Sequence, residues 1–482
     1  MTFNSPSSLQ KLIASALLLV GLSLCVALAD GYNSDALTSY SPARDLLQFH
    51  SLGGWVFPAA PSFVPDVLIA LPFAIITDNP PSFYLLTSPV QLAIMLLALS
   101  IWLHRTRGLA ITEAFFDLSI SATLFAFACS AILFPVGYFA IQPLFIFAAH
   151  GFAAICAMLF FCFLFADDFY LLRKHPLLSL GAFILLAISD LFFALYLGAI
   201  LFTLFLFAPS KRLFGYVTVC GLLSVSIFAL AYLLNPSLSR YIVDSSHGPS
   251  GFSPLEVALR MICLMAIPTA CLLVLRKQQR LTRDLLVMYV SLLLVCVLIG
   301  LAGLLREKYS FRYLSIAFPI SIIFISEVLG GWGNSHKLKL FALVACWLIA
   351  GLTYESLTGK NSTLAAFAEE IACIRSVKGS AGSSIVADYW PAKIVFEATK
   401  RNYNLLQVDA RLKERVWVSN KRWRYIHPEE AGSQTLILTD FLEAQSIDRI
   451  KALSYAHPFC DDKVIIVDKP LSQIREIEFA RD

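Results

Sequence analysis

The sequence predicts an α-helical polytopic membrane protein with about eleven transmembrane helices and a small C-terminal α/β domain. Three observations carry this. The 482 residues are 58% hydrophobic and 15% charged, whereas soluble chains carry about 25% charged residues. Apolar runs of roughly 20 residues recur, each long enough to cross a hydrocarbon core of about 30 Å. From about Tyr354 onward the composition turns polar.

The apolar runs read as spans over Leu12–Ala29, Phe83–Leu103, Phe116–Phe134, Leu144–Phe165, Leu177–Ser189, Leu191–Phe207, Gly215–Leu234, Leu255–Leu275, Leu285–Leu305, Leu314–Leu329 and Leu338–Leu352. The first, ending "ALAD", has the shape of a signal peptide but is long for one and reads as an uncleaved helix. Lysine and arginine collect on the cytoplasmic side of a bilayer. With Lys11, "HRTR" (104–107), "RKH" (173–175), "SKR" (210–212), "RKQQRLTR" (276–283) and "HKLK" (336–339) hold thirteen. The opposite loops hold five: Arg44, Arg240, Arg306, Lys308 and Arg312. The N-terminus is therefore expected in the cytoplasm and the C-terminal domain outside.

Two segments need separate treatment. Val64–Thr77 is apolar but short; a span there would invert the later clusters, so it reads as a helix in the outer interface. The stretch between "RKH" and "SKR" is too long for one span and reads as a hairpin of two short helices, with Asp190 of "ISDLFF" at its tip. In the polar tail, "SSIVADYW", "LLQV", "TLILTDF" and "KVIIVDKP" read as strands, and "PAKIVFEATKRN" and "SIDRIKALSYA" as helices. Residues 1–353 thus form a membrane domain, with a first outer loop at 30–82, and residues 354–482 an α/β domain. Nine of the eleven cysteines lie in or beside apolar runs as small buried hydrophobes, and a disulfide fits only between Cys373 and Cys460.

The outer face gathers the residues with chemical potential. The first outer loop contains Asp30, Asp35, Asp45 and Asp66. A carboxylate beside a membrane can take a proton from a sugar hydroxyl. Asp35 precedes an amphipathic helix that would hold it in place, whereas Asp30 and Asp45 read as solvated acids or helix caps. Asp66 follows Pro65 at the start of the interfacial helix; a dipole-stabilised position and a substrate contact both account for it. Trp55, Phe57 and Phe63 of "GWVFPAAPSFVPD" read as anchors at headgroup level. Asp190, in an apolar hairpin, is a functional candidate by cost alone, with a helix cap as its plain alternative. Glu256 and Arg260, four apart, read as a structural pair.

"REKYSFRYLSIAFP" (306–319) places Arg306, Lys308 and Arg312 outside, against the positive-inside trend. A polyprenyl-phosphate headgroup would offset the bias, since guanidinium forks match phosphate oxygens; lipid phosphates or Glu307 would do so too. In the tail, Trp390, Trp417 and Trp423 with Lys393, Arg415 and Arg422 read mostly as packing and surface residues, with an acceptor groove as the functional alternative. His150 reads as a packing histidine. The chain has no convincing metal-ligand spacing, no Walker loop, no GxGxxG and no basic stripe for nucleic acid.

Taken in order, "SDAL", "GWVFPAAPSFVPD", "ISDLFF" and "FRYLSIAFP" resemble the bacterial GT-C glycosyltransferases, near the mannosyltransferase-like and lipopolysaccharide-modifying groups. The resemblance is strongest to bacterial membrane proteins with a "DGDAL…GW…PPAP…FPD" first loop and a "DYW" tail, matched here by "ADYWPAK" (387–393). It implies a sugar donor linked to polyprenyl phosphate, an acceptor glycan, lipid or protein, and a multi-pass enzyme of the bacterial inner membrane working periplasmically. It also implies inverting transfer with Asp35 as base, Arg306 and Arg312 on the leaving phosphate, and Asp190 orienting substrate or a metal. Lys308 and Asp66 join the implied substrate contacts. Only some members use a divalent metal, so metal use stays open. One departure stands out: Asp35 lies in "YNSDAL", without a glycine directly before it. The other classes weighed are a transporter or flippase of lipid-linked saccharides and a non-enzymatic envelope scaffold. The lack of repeats and the gathering of acids and bases on one face argue against transport.

Overall fold

A computed structural model of the chain describes residues 7–29, 37–56, 63–132, 151–165, 174–234, 253–305, 308–358, 367–377, 382–414, 419–427 and 434–474. In chain order the elements begin with α1 (Ser8–Ala29), α2 (Tyr40–Phe49), β1 (Trp55–Val56), α3 (Leu68–Ile76), α4 (Pro80–Arg107) and α5 (Ile111–Ile132). They continue with α6 (Gly151–Phe160), α7 (Pro176–Ser189), α8 (Leu191–Phe207), α9 (Lys211–Leu234), α10 (Pro254–Lys277), α11 (Arg283–Leu301), α12 (Ala317–Leu329) and α13 (Asn334–Thr358). The tail adds α14 (Ala368–Ser376), β2 (Ser384–Asp388), α15 (Tyr389–Ala398), β3 (Asn404–Val408), β4 (Ser419–Asn420), β5 (Thr435–Leu438), α16 (Ala444–Lys451), β6 (Ala456–Phe459) and β7 (Val464–Val467).

Among the described residues, seven helices are long and apolar enough to cross a membrane: α1, α4, α5, α9, α10, α11 and α13. Shorter apolar helices cover 64–76, 151–163, 176–189, 191–207 and 317–329. Every predicted span thus meets an apolar helix, and the hairpin breaks at Asp190 between α7 and α8. The protein is a multi-pass helical membrane protein.

The chain divides into two compact units. The first takes residues 1–30, 59–66 and 87–361. Its basic clusters are paired: Lys11 with Glu113 at 2.8 Å, and Lys337 with buried Asp117 at 2.6 Å. Arg107 lies 3.1 Å and Arg280 3.8 Å from Glu327. Desolvation makes an unpartnered buried carboxylate costly, so these lysines and arginines lock helix ends together. Glu256 closes a capping box with Ser253 at the start of α10.

The second unit takes residues 31–58, 67–86 and 362–482. Its five-stranded sheet has the order β3-β2-β5-β7-β6, with β3, β2 and β5 parallel and β7 antiparallel to both neighbours. The strands alternate their apolar residues between two faces. Ile385, Ala387, Leu436 and Leu438 pack with α15 and Trp423, while Val386, Leu406 and Ile437 pack with Ile450 of α16. A second small ladder pairs β1 with β4 antiparallel, Trp55 opposite Asn420. Gly54 before it has φ +89°, and a Cβ there would sit 2.7 Å from Asn420 Oδ1, so both backbone and space demand glycine.

Cys373 of α14 and Cys460 between β6 and β7 form a disulfide with Cα atoms 6.1 Å apart. It closes a loop of 87 residues around the sheet. Cys373→Ser is expected to lower the unfolding free energy of this unit by about 2–5 kcal/mol. Urea unfolding of the wild type with and without reductant should reproduce the same loss; an unchanged midpoint in both would show that the bridge adds no stability.

Trp55 and Asp45 depart from expectation. Trp55 is buried, packs edge-on against Trp423 with ring centroids 5.2 Å apart, and gives its indole N–H to Asp45 Oδ2 at 2.7 Å. It belongs to the core of the second unit rather than to a headgroup layer. Asp45 is neither solvated nor a cap but wholly buried. Its carboxylate accepts from Arg401 Nη1 at 2.6 Å, Asn420 Nδ2 at 2.6 Å and Trp423 Nε1 at 3.2 Å. Arg401 completes the network by donating to both oxygens of Glu397, at 2.6 and 2.9 Å. The physical reason is charge pairing over a long sequence distance: a fully donated carboxylate escapes the cost of leaving water.

Candidate functional site

Within the first unit, two of the charged residues singled out from the sequence, Asp66 and Asp190, come together, and a third, Arg312, is linked to the same hairpin through its neighbour Tyr313. Ser189 and Asp190 end α7, where the chain turns straight into α8. The Ser189 hydroxyl Oγ accepts the Val64 N–H at 2.9 Å, which ties the turn carrying Asp66 to the hairpin. Asp190 Oδ1 accepts the Phe192 N–H at 2.9 Å, capping α8. The plain alternative for Asp190 therefore holds, and it is compatible with function. A helix cap engages one oxygen of the carboxylate. The positive end of α8 lies at the same place and favours anionic groups.

Asp66 is buried beside this turn. Burial first, and then the charge of Asp190, hold its carboxyl well above the ordinary carboxylate range. Asp190 beside it is engaged as an acceptor at the start of α8. A carboxyl that binds its proton more tightly when folded adds stability at low pH and loses it as pH rises through the raised folded value. The melting temperature is accordingly expected to fall as pH rises through that window. In Asp66→Asn the decline should flatten, and an equal decline in the variant would assign it to another group.

The third wall comes from the turn before α12. Tyr196 of α8 donates its hydroxyl to the Tyr313 carbonyl at 2.8 Å, with Ser315 Oγ at 3.3 Å. This offsets the roughly 1–3 kcal/mol that an unsatisfied buried hydroxyl would cost. The Phe192 and Tyr313 rings stack with centroids 4.8 Å apart and planes 4° from parallel. Arg312, in the turn Lys308–Leu314, places its guanidinium 5.4 Å from the Tyr313 ring centroid. Asp66 and Asp190 thus meet at a hairpin tip braced by Ser189, Phe192, Tyr196 and Tyr313, and Arg312 precedes Tyr313 in the chain. None of these bracing residues was expected from the sequence. Ser189 is signalled only by adjacency to Asp190, and nothing local links Tyr196 to Tyr313 across 117 positions.

Asp35 and Arg306 lie outside the described residues, as do Asp30, Phe57, His150, Arg415 and Trp417. Lys308 opens the turn Lys308–Leu314, but its side chain is likewise outside. Trp423 is a packing residue, as expected, and Lys393 is buried under the Tyr389 ring. Among the described residues no three His, Cys, Asp or Glu side chains gather to hold a metal ion.

No family model matches the chain, and no curated protein matches it by sequence. Among solved structures, ArnT from Cupriavidus metallidurans, crystallised in the apo state, is similar with a TM-score of 0.58. The likeness covers 95% of this chain and 97% of that one. The chain has the GT-C fold. At 11% identity the GT-C likeness speaks for the path of the backbone and not for any residue's role. What it adds to the geometry is extent: the likeness runs over both the membrane helices and the C-terminal sheet.

Proposed function

We propose that the protein is a GT-C-type glycosyltransferase of the bacterial inner membrane, moving a sugar from a polyprenyl-phosphate donor to an envelope glycan, lipid or protein at the periplasmic face. The observation that carries this reading is the meeting of Asp66 and Asp190 at one hairpin tip, with Arg312 linked to it through the stack of Tyr313 on Phe192, within a chain of GT-C fold. An arginine fork suits the donor phosphate, and carboxyl groups suit sugar hydroxyls. The charge asymmetry supports an outward site. A disulfide in the second unit supports the same orientation, because such bonds persist in oxidising compartments such as the periplasm.

In this reading Asp35 takes the proton from the acceptor hydroxyl as its oxygen attacks the anomeric carbon. The bond from that carbon to the phosphate oxygen breaks on the opposite side, giving inversion. Arg306, Lys308 and Arg312 receive the charge that develops on the departing polyprenyl phosphate. Asp190 orients the sugar.

The test is mass analysis of envelope glycans and polyprenyl-linked sugars in a deletion strain, complemented with wild type or Asp35→Asn at matched protein levels. Accumulated lipid-linked sugar with loss of one glycan mass, restored only by wild type, is the expected result. Unaltered glycans and lipid-linked sugars in the deletion strain would overturn the reading.

A further inference from the structure

The second unit holds two cysteines, Cys373 and Cys460, and they are joined to each other. The nine free cysteines all belong to the first unit, so no third thiol of the second unit competes for the bridge. The two sulfurs sit in different surroundings. Cys373 of α14 is 3% exposed and belongs to the core that contains Ile374, Ile385 and Phe396. Cys460 is half-buried and directly follows β6, where it opens a turn continued by exposed Asp461 and Asp462.

Both sides of the bridge are held by other bonds as well. In the turn, the Cys460 carbonyl accepts the Lys463 N–H at 3.1 Å, and the Asp462 carbonyl accepts the Thr439 hydroxyl at 2.7 Å. Around α14, Tyr403 donates its hydroxyl to the Ile374 carbonyl at 3.3 Å, and Arg375 donates to the Ala398 carbonyl at 2.5 Å. The charge near the bridge is unequal. Asp461, Asp462, Glu369 and Glu370 stand against Lys451, which pairs with Asp462, and Lys463, which pairs with both glutamates.

We propose that Cys460 is the thiol-exchange site of this unit: a dithiol–disulfide oxidoreductase joins to Cys460 Sγ, and Cys373 is the thiol that leaves on opening and returns on closure. Displacement at a disulfide runs along the line of the breaking bond, so access decides which sulfur is attacked. A thiolate aimed at Cys373 Sγ would have to arrive through the packed core, whereas Cys460 is the residue of the pair that solvent reaches. In opening, the partner's thiolate bonds to Cys460 Sγ, and the electron pair of the broken bond passes to Cys373 Sγ, which takes a proton. The partner's second thiolate then displaces Cys460 as a thiol, leaving the bridge reduced and the partner oxidised. Maturation is the reverse: Cys460 attacks an oxidised partner, and Cys373 then attacks Cys460 Sγ to release it reduced. The turn and α14, fastened by their own bonds, keep the two thiols within reach of each other between these steps. The excess of carboxylates favours a partner whose thiol lies in an uncharged or basic rim. None of this rests on sugar transfer by the first unit.

The experiment uses oxidised full-length wild type in nanodiscs, so no variant's folding enters. The protein receives short pulses of mercaptoethanol or glutathione, is quenched in acid, denatured and alkylated, and is mapped by mass spectrometry after trypsin, which places the two cysteines on separate peptides. The thiol adduct is expected on Cys460 and the alkylation on Cys373, in a ratio of about tenfold or more over the opposite arrangement. Glutathione, a net anion, should react about fivefold more slowly than mercaptoethanol after division by their rates on free cystine, and high salt should shrink the deficit. Equal adducts on both cysteines, adducts mainly on Cys373, or a bridge that takes no adduct from either thiol would overturn the exchange site. Equal normalised rates for the two thiols at low salt would overturn the charge of the partner.

Discussion

Arg401→Ala is expected to cost the second unit about 3–5 kcal/mol of stability, the range for removing one partner of a buried charge pair. The arginine stands between Asp45 and Glu397, and all three are buried. Without it two carboxylates face each other in the core with no cation between them. Asp45→Asn should cost less. It leaves the Arg401–Glu397 pair intact but turns one oxygen that accepts from Trp55 and Asn420 into a donor. Combining the two changes should cost less than their sum, because the second relieves the charge stranded by the first. Trp55 and Trp423 pack against each other and both donate to Asp45. Their fluorescence during urea unfolding is thus a direct probe. Equal midpoints for wild type and Arg401→Ala would show that the network is idle.

The second large effect concerns transfer itself. Under the proposed mechanism, Asp35→Asn removes the group that takes the acceptor proton and should lower kcat by roughly 10²- to 10⁴-fold. The KM for the lipid-linked donor should change little, since the substitution is isosteric. Arg312→Ala should divide differently: loss of a phosphate contact in both ground and transition state raises donor KM. The measurement is a radiolabelled transfer assay with purified protein and varied donor. If Asp35→Asn turned over at the wild-type rate, the base would have to be sought elsewhere among the outer acids.

Helix placement was legible because it rests on composition and length, which are local properties. The break at Asp190 was legible too, since a carboxylate inside an apolar run can only mark an end or a site. The strands of the tail announced themselves by β-branched runs between turn residues. What escaped was pairing at a distance. Asp45 lies 356 positions from Arg401, and nothing near either residue tells a solvated acid from a buried one. Trp55 misled for a related reason: a tryptophan near an apolar segment has the same local signature whether it meets headgroups or a sheet. The candidate site was partly legible, since Asp66 and Asp190 are buried charges in costly surroundings. Its bracing tyrosines were not, because an aromatic residue in an apolar helix is ordinary.

The Asp45–Arg401 contact also sets a timetable for biosynthesis. At about 5–20 residues per second, roughly 20–70 s separate the emergence of the aspartate from that of its arginine. During that interval the segment that carries Asp45 has been made while the residues that will neutralise and enclose it have not. A nascent chain must therefore keep this segment hydrated until the last quarter of the protein arrives. Any chain stopped before residue 401 would leave Asp45 without its cation, Trp55 without Trp423 and β1 without β4. Such a chain would display two markers of an incomplete protein: exposed aromatic surface and an unpaired strand.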